Sequence, residues 1–209
     1  YPPGNQVKLE PDIAESWTVS ADGLKWTFKI RKGITFDDGS PLNAEAVRYS
    51  FDRTLAIGKG PADNLTAIAS MAVIDDYTLE ITLKNPYGPF LQTLATNGAS
   101  IINPKVAAKA VGDDKAQAFL AENIDGSGPF KIVEWTRGQR CVLEAKANYW
   151  GDKPKLKKVI IRFMAESADR RMALEQGDVD IAEVLRIVMN RGCGGEATAG
   201  VAGPKAPPR

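Results

Sequence analysis

Between Leu24 and Ile30 the chain alternates strictly: Leu24, Trp26, Phe28 and Ile30 are apolar, and Lys25, Thr27 and Lys29 separate them. A period of two is that of a β-strand with one face buried. Asp22-Gly23 just upstream is a tight-turn signal, so residues 16–20 and 24–30 are expected to pair as a hairpin. A second turn, Asp37-Asp38-Gly39-Ser40-Pro41, leads to Asn43. Asn43 is suited to cap a helix whose inward face is Val47, Phe51 and Leu55.

The same reading extends along the chain. Gly58-Lys59-Gly60-Pro61 ends the helix, because glycine and proline in succession cannot continue it. Residues 70–74 and 77–83 are expected to form a second hairpin around Asp75-Asp76, with Leu79, Ile81 and Leu83 on one face. A short helix at 90–94 and a buried strand at 100–102 follow. Pro104 can open a helix, and the alanine-rich stretch 105–122 should be helical with a kink near Gly112-Asp113. A third hairpin is expected from 130–135 and 140–146, then a strand at 156–164. Ser167 is a plausible cap for a helix ending at Gly177, and a short strand at 179–181 closes the pattern. From about Leu185 periodicity stops, and Gly, Ala, Pro and Arg dominate residues 192–209, as in a flexible tail.

Composition narrows the chemistry. The 209 residues include no histidine, which removes the commonest general base and metal ligand. A Ser/His/Asp triad is therefore impossible, and no serine sits in a GxSxG elbow. The two cysteines, Cys141 and Cys193, lack any metal-binding spacing, and Cys141 reads as a small buried apolar residue in a strand. A formal charge of +1 gives no electrostatic reason to expect nucleic acid or an acidic membrane as partner. Lys153, Lys155, Lys157 and Lys158 cluster, but read as a solvated turn and strand face. No apolar run is long enough to span a bilayer, and the residues from Tyr1 to Gly4 do not resemble a signal peptide. Neither a cofactor nor a metal is called for.

Four blocks of the sequence carry a family resemblance. Ala14-Glu15-Ser16-Trp17 with Ser20-Ala21-Asp22-Gly23, Trp26-Thr27-Phe28 and Arg31-Lys32-Gly33 resembles the signature of the family 5 extracellular solute-binding proteins, the peptide, dipeptide and nickel receptors of ABC importers. Phe36-Asp37-Asp38-Gly39-Ser40-Pro41-Leu42 is similar to that family's next block. Gly126-Ser127-Gly128-Pro129-Phe130 resembles its GTGPY/F motif, and Asn148-Tyr149-Trp150-Gly151 with Lys153-Pro154 resembles its NPDYWGGKP turn. Two departures are visible. Ala46 stands where an acidic residue often completes a capping box, and Asp37 stands where the family commonly has histidine.

The resemblance implies a mixed α+β fold, an incomplete lobe of the type II periplasmic binding-protein kind with hairpin-rich sheets and flanking helices. Residues 1–184 are expected to be part of the first lobe, without its N-terminal strands, second lobe or C-terminal return, and residues 185–209 a non-native tail. The implied function is capture of peptides or similar small solutes between two lobes, for delivery to the membrane subunits of an ABC importer. It also implies an extracytoplasmic, periplasmic location. Nickel complexes and oligosaccharides are alternative ligand classes. A remnant that keeps the lobe fold without binding is the main alternative function, and a hydrolase is a distant third. Apolar surface left without the returning chain should favour association.

Two loops are candidate ligand contacts. In Gly126-Ser127-Gly128-Pro129-Phe130 the glycines permit close backbone approach, so Ser127 and Gly128 could present amides to an extended ligand. The loop matches no Walker or dinucleotide motif, and a turn that packs the preceding helix against the following hairpin explains it equally well. In Asn97-Gly98-Ala99-Ser100, which the resemblance places beside the cleft, Asn97 and Ser100 could bond a peptide backbone. A locally satisfied turn is the alternative there. The four tryptophans are expected to be structural, with Trp17 and Trp26 in the core of the first hairpin and Trp150 fixing a turn. Asp178 and Asp180 would share a strand face, but a solvent-facing edge explains them more simply.

Overall fold

The structure, a computed structural model, describes residues 9–183. They divide into two compact units, one comprising the described residues up to 131 together with 144–157, the other 132–143 and 158 onward.

The first unit is organised around the predicted hairpin. Strand β1 (Ala14–Val19) pairs antiparallel with β2 (Lys25–Ile30), and Gly23 at φ +72° makes the turn that only a residue without Cβ adopts freely. β2 also pairs with β4 (Thr78–Leu83), which pairs with β3 (Ile68–Asp75), so the sheet runs β1-β2-β4-β3 with antiparallel neighbours. The register sets Trp26 opposite Ile81 and Phe28 opposite Leu79, placing the alternating apolar residues of both strands on one face. Onto that face packs α1 (Ala44–Ile57) through Val47 and Phe51, with Leu55 half-buried at its far end. Asn43 caps it as expected, accepting the Ala46 N–H at 3.0 Å, and Gly58 ends it in the left-handed conformation. Phe90, at the start of α2 (Phe90–Leu94), packs against the same core, 5.5 Å from Trp26 and 6.4 Å from Phe28 between ring centres.

Two expectations in this unit fail for a shared reason, side chains taking over backbone hydrogen bonds. Residues 100–102 form no strand. Instead the Ile102 N–H donates to Ser50 Oγ on α1 at 3.0 Å. The alanine-rich stretch forms a 3₁₀ segment at Pro104–Lys109 and only a short α3 (Gln117–Leu120). Between them Asp114 accepts the N–H groups of Val111, Ala116 and Ala118, and Lys115 and Ala116 turn left-handed, so intrinsic helix propensity is overridden.

The second unit carries most of β5 (Phe130–Thr136) and β6 (Arg140–Ala145), together with β7 (Lys158–Arg162) and α4 (Ser167–Gln176). The strand order is β5-β6-β7. β7 is shorter than the apolar run suggested. Cys141 and Val142 are buried, whereas Trp135 is open to solvent with the Arg137 guanidinium 5.2 Å from its ring centre. Ser167 is the first helical residue rather than the cap, which falls on Glu166 without a side-chain bond. Residues 179–181 are not a strand, so Asp178 and Asp180 share no strand face. Cys193 and the expected tail lie outside the described residues.

Candidate functional site

Residues Asn97–Ala99 make one 3₁₀ turn just after α2. Gly98 is buried there, and a Cβ on it would sit 2.9 Å from Asn64 Nδ2 and 3.0 Å from the Pro61 carbonyl oxygen. The turn therefore needs glycine for closeness of approach rather than for its dihedral angles. Ser100 Oγ donates to the Asn97 carbonyl at 2.8 Å, while both residues stay exposed. Asn97, Ala99 and Ser100 border a cavity of about 370 Å³ whose walls include Phe28, Ile30 and Phe51. Glu10, Asp12 and Thr96 line it too, so hydrogen-bonding groups from two stretches of chain border a largely apolar hollow.

The second loop is held by a polar network. Asp37 and Lys146 form an ion pair in which the lysine side chain is 10% exposed. Lys146 Nζ also donates to the Gly126 carbonyl at 2.7 Å, and Asp37 Oδ2 accepts the Gly126 N–H at 3.3 Å. The Asp37 N–H in turn donates to Asp125 Oδ1 at 2.8 Å, and Asp125 Oδ2 accepts from the buried Asn103 Nδ2 at 2.6 Å. Trp150 completes the hold by donating its indole N–H to the Ser127 carbonyl at 3.1 Å. Trp150 thus fixes a turn, as the sequence suggested, and carries the Arg31 guanidinium 5.5 Å from its ring centre.

Ser127 borders a second cavity, of about 320 Å³, together with Asp37, Lys146, Tyr149 and Trp150. Burial, followed by the charges of Asp12 and Asp152, pushes the Tyr149 phenol up. Gly128 is exposed beside this cavity's Ser127. The two candidate loops therefore border different cavities. Next to the network, Lys105 beside Asp38 holds that carboxyl well below the usual carboxylate range, with the Ser40 hydroxyl adding to the effect.

Sequence reasoning missed Asn103, Asp125 and Lys146. One signal was available for the last. Laid on the NPDYWGGKP turn, Lys146 takes the place of the first asparagine, and Asp37 takes the place of the common histidine. Two departures from the pattern touch each other in the fold.

Among the described residues no cluster of His, Cys, Asp and Glu could hold a metal ion, and no helix is long and apolar enough to cross a membrane. Comparison with known proteins gives one family and consistent neighbours. The model of the bacterial extracellular solute-binding proteins, family 5 middle, matches residues 8–188. The chain is 45% identical over 179 residues to the probable D,D-dipeptide-binding periplasmic protein DdpA of Escherichia coli K12, covering 86% of this chain and 34% of that protein. It is 33% identical over 184 residues to the glutathione-binding protein GsiB of the same strain, with 85% and 34% covered. In structure it is similar to the periplasmic binding protein DppA of Helicobacter pylori in complex with the peptide STSA, at a TM-score of 0.74 and 31% identity, covering 83% of this chain and 38% of that one. The chain thus spans about a third of the length of the curated relatives it matches.

Proposed function

The chain belongs to family 5 of the bacterial extracellular solute-binding proteins, and from that premise we propose that it forms part of the periplasmic solute-capturing component of an ABC importer. The ligand class is peptide, with D,D-dipeptides first among the candidates. The observation that carries this reading is the 45% identity to a probable D,D-dipeptide-binding protein, maintained over 86% of the chain. Residues 1–184 are read as part of one lobe, and residues 185–209 as lying outside it. The protein works by binding and release rather than by catalysis. The partners are the solute and the importer's membrane subunits, reached when two lobes close on the ligand. In this lobe Asn97 and Ser100 supply polar contacts at the rim of the apolar hollow, and Ser127 and Gly128 supply them from the glycine loop. Gly98 and Ala99 shape the first turn by letting the backbone pack closely.

A ligand that binds only the folded chain must raise its melting midpoint. At a free concentration of about 100 times Kd the gain is about 2.7 kcal/mol. Melts are run with D-alanyl-D-alanine, L-alanyl-L-alanine and a mixed pool of di- to pentapeptides. A rise with D-alanyl-D-alanine supports the full reading. A rise with L-peptides alone keeps the peptide class and removes the D,D preference, and no rise with any of them removes peptide capture by this chain.

A further inference from the structure

Gly126 is held on both sides by the two members of one ion pair: its N–H by Asp37 and its carbonyl by Lys146. The same short segment holds two more carbonyls of the loop. The Lys146 N–H donates to Pro129 O at 2.9 Å, and the Trp150 indole N–H donates to Ser127 O. Three of the four carbonyls from residue 126 to residue 129 are therefore drawn to residues 146–150. Among the described residues the amides of Ser127 and Gly128 have no protein acceptor. A loop whose carbonyls are engaged and whose successive amides are open offers donors, and donors suit a carbonyl or carboxylate oxygen.

We propose that Lys146 and Asp37 are positioning residues that lock this loop with its Ser127 and Gly128 amides free to receive an acceptor group of the ligand, such as a peptide carboxylate. This rests on the peptide-binding reading above. The lock is polar and directional, not merely attractive. An ion pair alone would tolerate exchange of its partners, but here the carboxylate must accept an N–H and the ammonium must donate to a carbonyl. Lysine at position 37 could not accept the Gly126 N–H, and aspartate at position 146 could not donate to the Gly126 carbonyl. The low exposure of Lys146 strengthens each contact, since water competes less for the ammonium.

The test separates the lock from the binding. Amide hydrogen exchange is measured on the 209-residue chain for the two bonded amides of the lock, those of residues 126 and 146, and, as internal reference, for β2 and β4, and calorimetry follows binding of D-alanyl-D-alanine. Lys146→Met is expected to speed exchange of these two bonded amides by about tenfold or more, the scale of one lost charge-assisted hydrogen bond, with β2 and β4 unchanged. The exchanged pair Asp37→Lys with Lys146→Asp should fail to restore protection. Trp150→Phe, which keeps the ring and removes one donor, gives an independent and milder loosening if the lysine variant does not fold. Dipeptide affinity should fall in step with loop protection.

An unchanged loop in Lys146→Met, or full rescue by the exchanged pair, overturns the lock. A loosened loop with undiminished affinity overturns the ligand role of the amides. If the unsubstituted chain does not bind the dipeptide, the functional reading fails, and the exchange data still decide whether the lock exists.

Discussion

Ser50 and Ile102, 52 residues apart in sequence, are joined by a hydrogen bond of 3.0 Å from the Ile102 N–H to the Ser50 hydroxyl oxygen. The hydroxyl is 1% exposed with its residue and donates onward to the Ala46 carbonyl one turn back at 2.7 Å. This contact replaces the strand that the sequence suggested at residues 100–102. Ser50→Ala leaves the Ile102 N–H without a partner in a largely dry environment. The expected loss is about 1–3 kcal/mol in urea unfolding, with an unchanged m-value.

Gly98→Ala tests close approach rather than dihedral freedom. The new methyl would meet the Pro61 backbone, which cannot swing aside as a flexible side chain would. Overpacking of this kind costs about 1–3 kcal/mol, and it should shift the Asn97–Ser100 turn as well. The check is a lowered melting midpoint together with weaker peptide binding. A variant that melts like the parent chain removes the packing account of this glycine.

Phe90 carries the junction between α2 and the sheet, fully buried against Trp26 and Phe28. Phe90→Ala is expected to cost about 3–5 kcal/mol, because burial is lost and the surrounding aromatics cannot close the cavity. Phe90→Leu should cost clearly less. Equal losses from the two variants would mean that ring geometry, not volume, is what the site requires.

Much of this first unit was legible because its stability rests on periodic burial. The alternation through Trp26, Phe28 and Ile30 and the α1 stripe at Val47 and Phe51 are local patterns with a single geometric solution. The failures have a different physical origin. Asp114 breaks the alanine-rich helix by gathering three backbone N–H groups, and Ser50 replaces a strand partner. A lone carboxylate or hydroxyl leaves no periodic trace. The candidate loops were visible through their glycines, whereas their support was not. Asp37 and Gly126 are 89 residues apart, so the bond between them is created by the fold and has no sequence spacing.

Acid should weaken the fold in a defined window. Asp22, Asp38, Asp75 and Asp114 all lie at turns and are all held below their ordinary 3.8, through the Ser20 hydroxyl, Lys105, the Thr78 hydroxyl and the Val111 N–H respectively. A folded-state value below the unfolded one contributes stability that is present above the unfolded value and lost as pH falls through the folded one. The denaturation midpoint should therefore hold between about pH 7 and 5 and decline below about pH 4. Lys105→Met should reduce the part of that decline due to Asp38. A midpoint that rises on acidification contradicts the assignment.

The second unit should make the chain associate. Ile160 and Ile161 are neighbours on β7, so their side chains point to opposite faces, yet they are 57% and 42% exposed. Val159 alone on the strand is half-buried, so neither face is fully covered among the described residues. β7 also ends the order β5-β6-β7, so among the described residues one side of its backbone has no strand partner. Phe163 and Met172 add to the exposed apolar area, at 48% and 51%. Open apolar faces beside a sheet edge favour edge-to-edge pairing and burial against another molecule. Light scattering should show an average mass that grows with concentration, and Ile160→Lys with Phe163→Lys should suppress the growth by placing like charges on that strand and just beyond it. Constant monomeric mass over a hundredfold concentration range would mean that these side chains find cover within the chain itself.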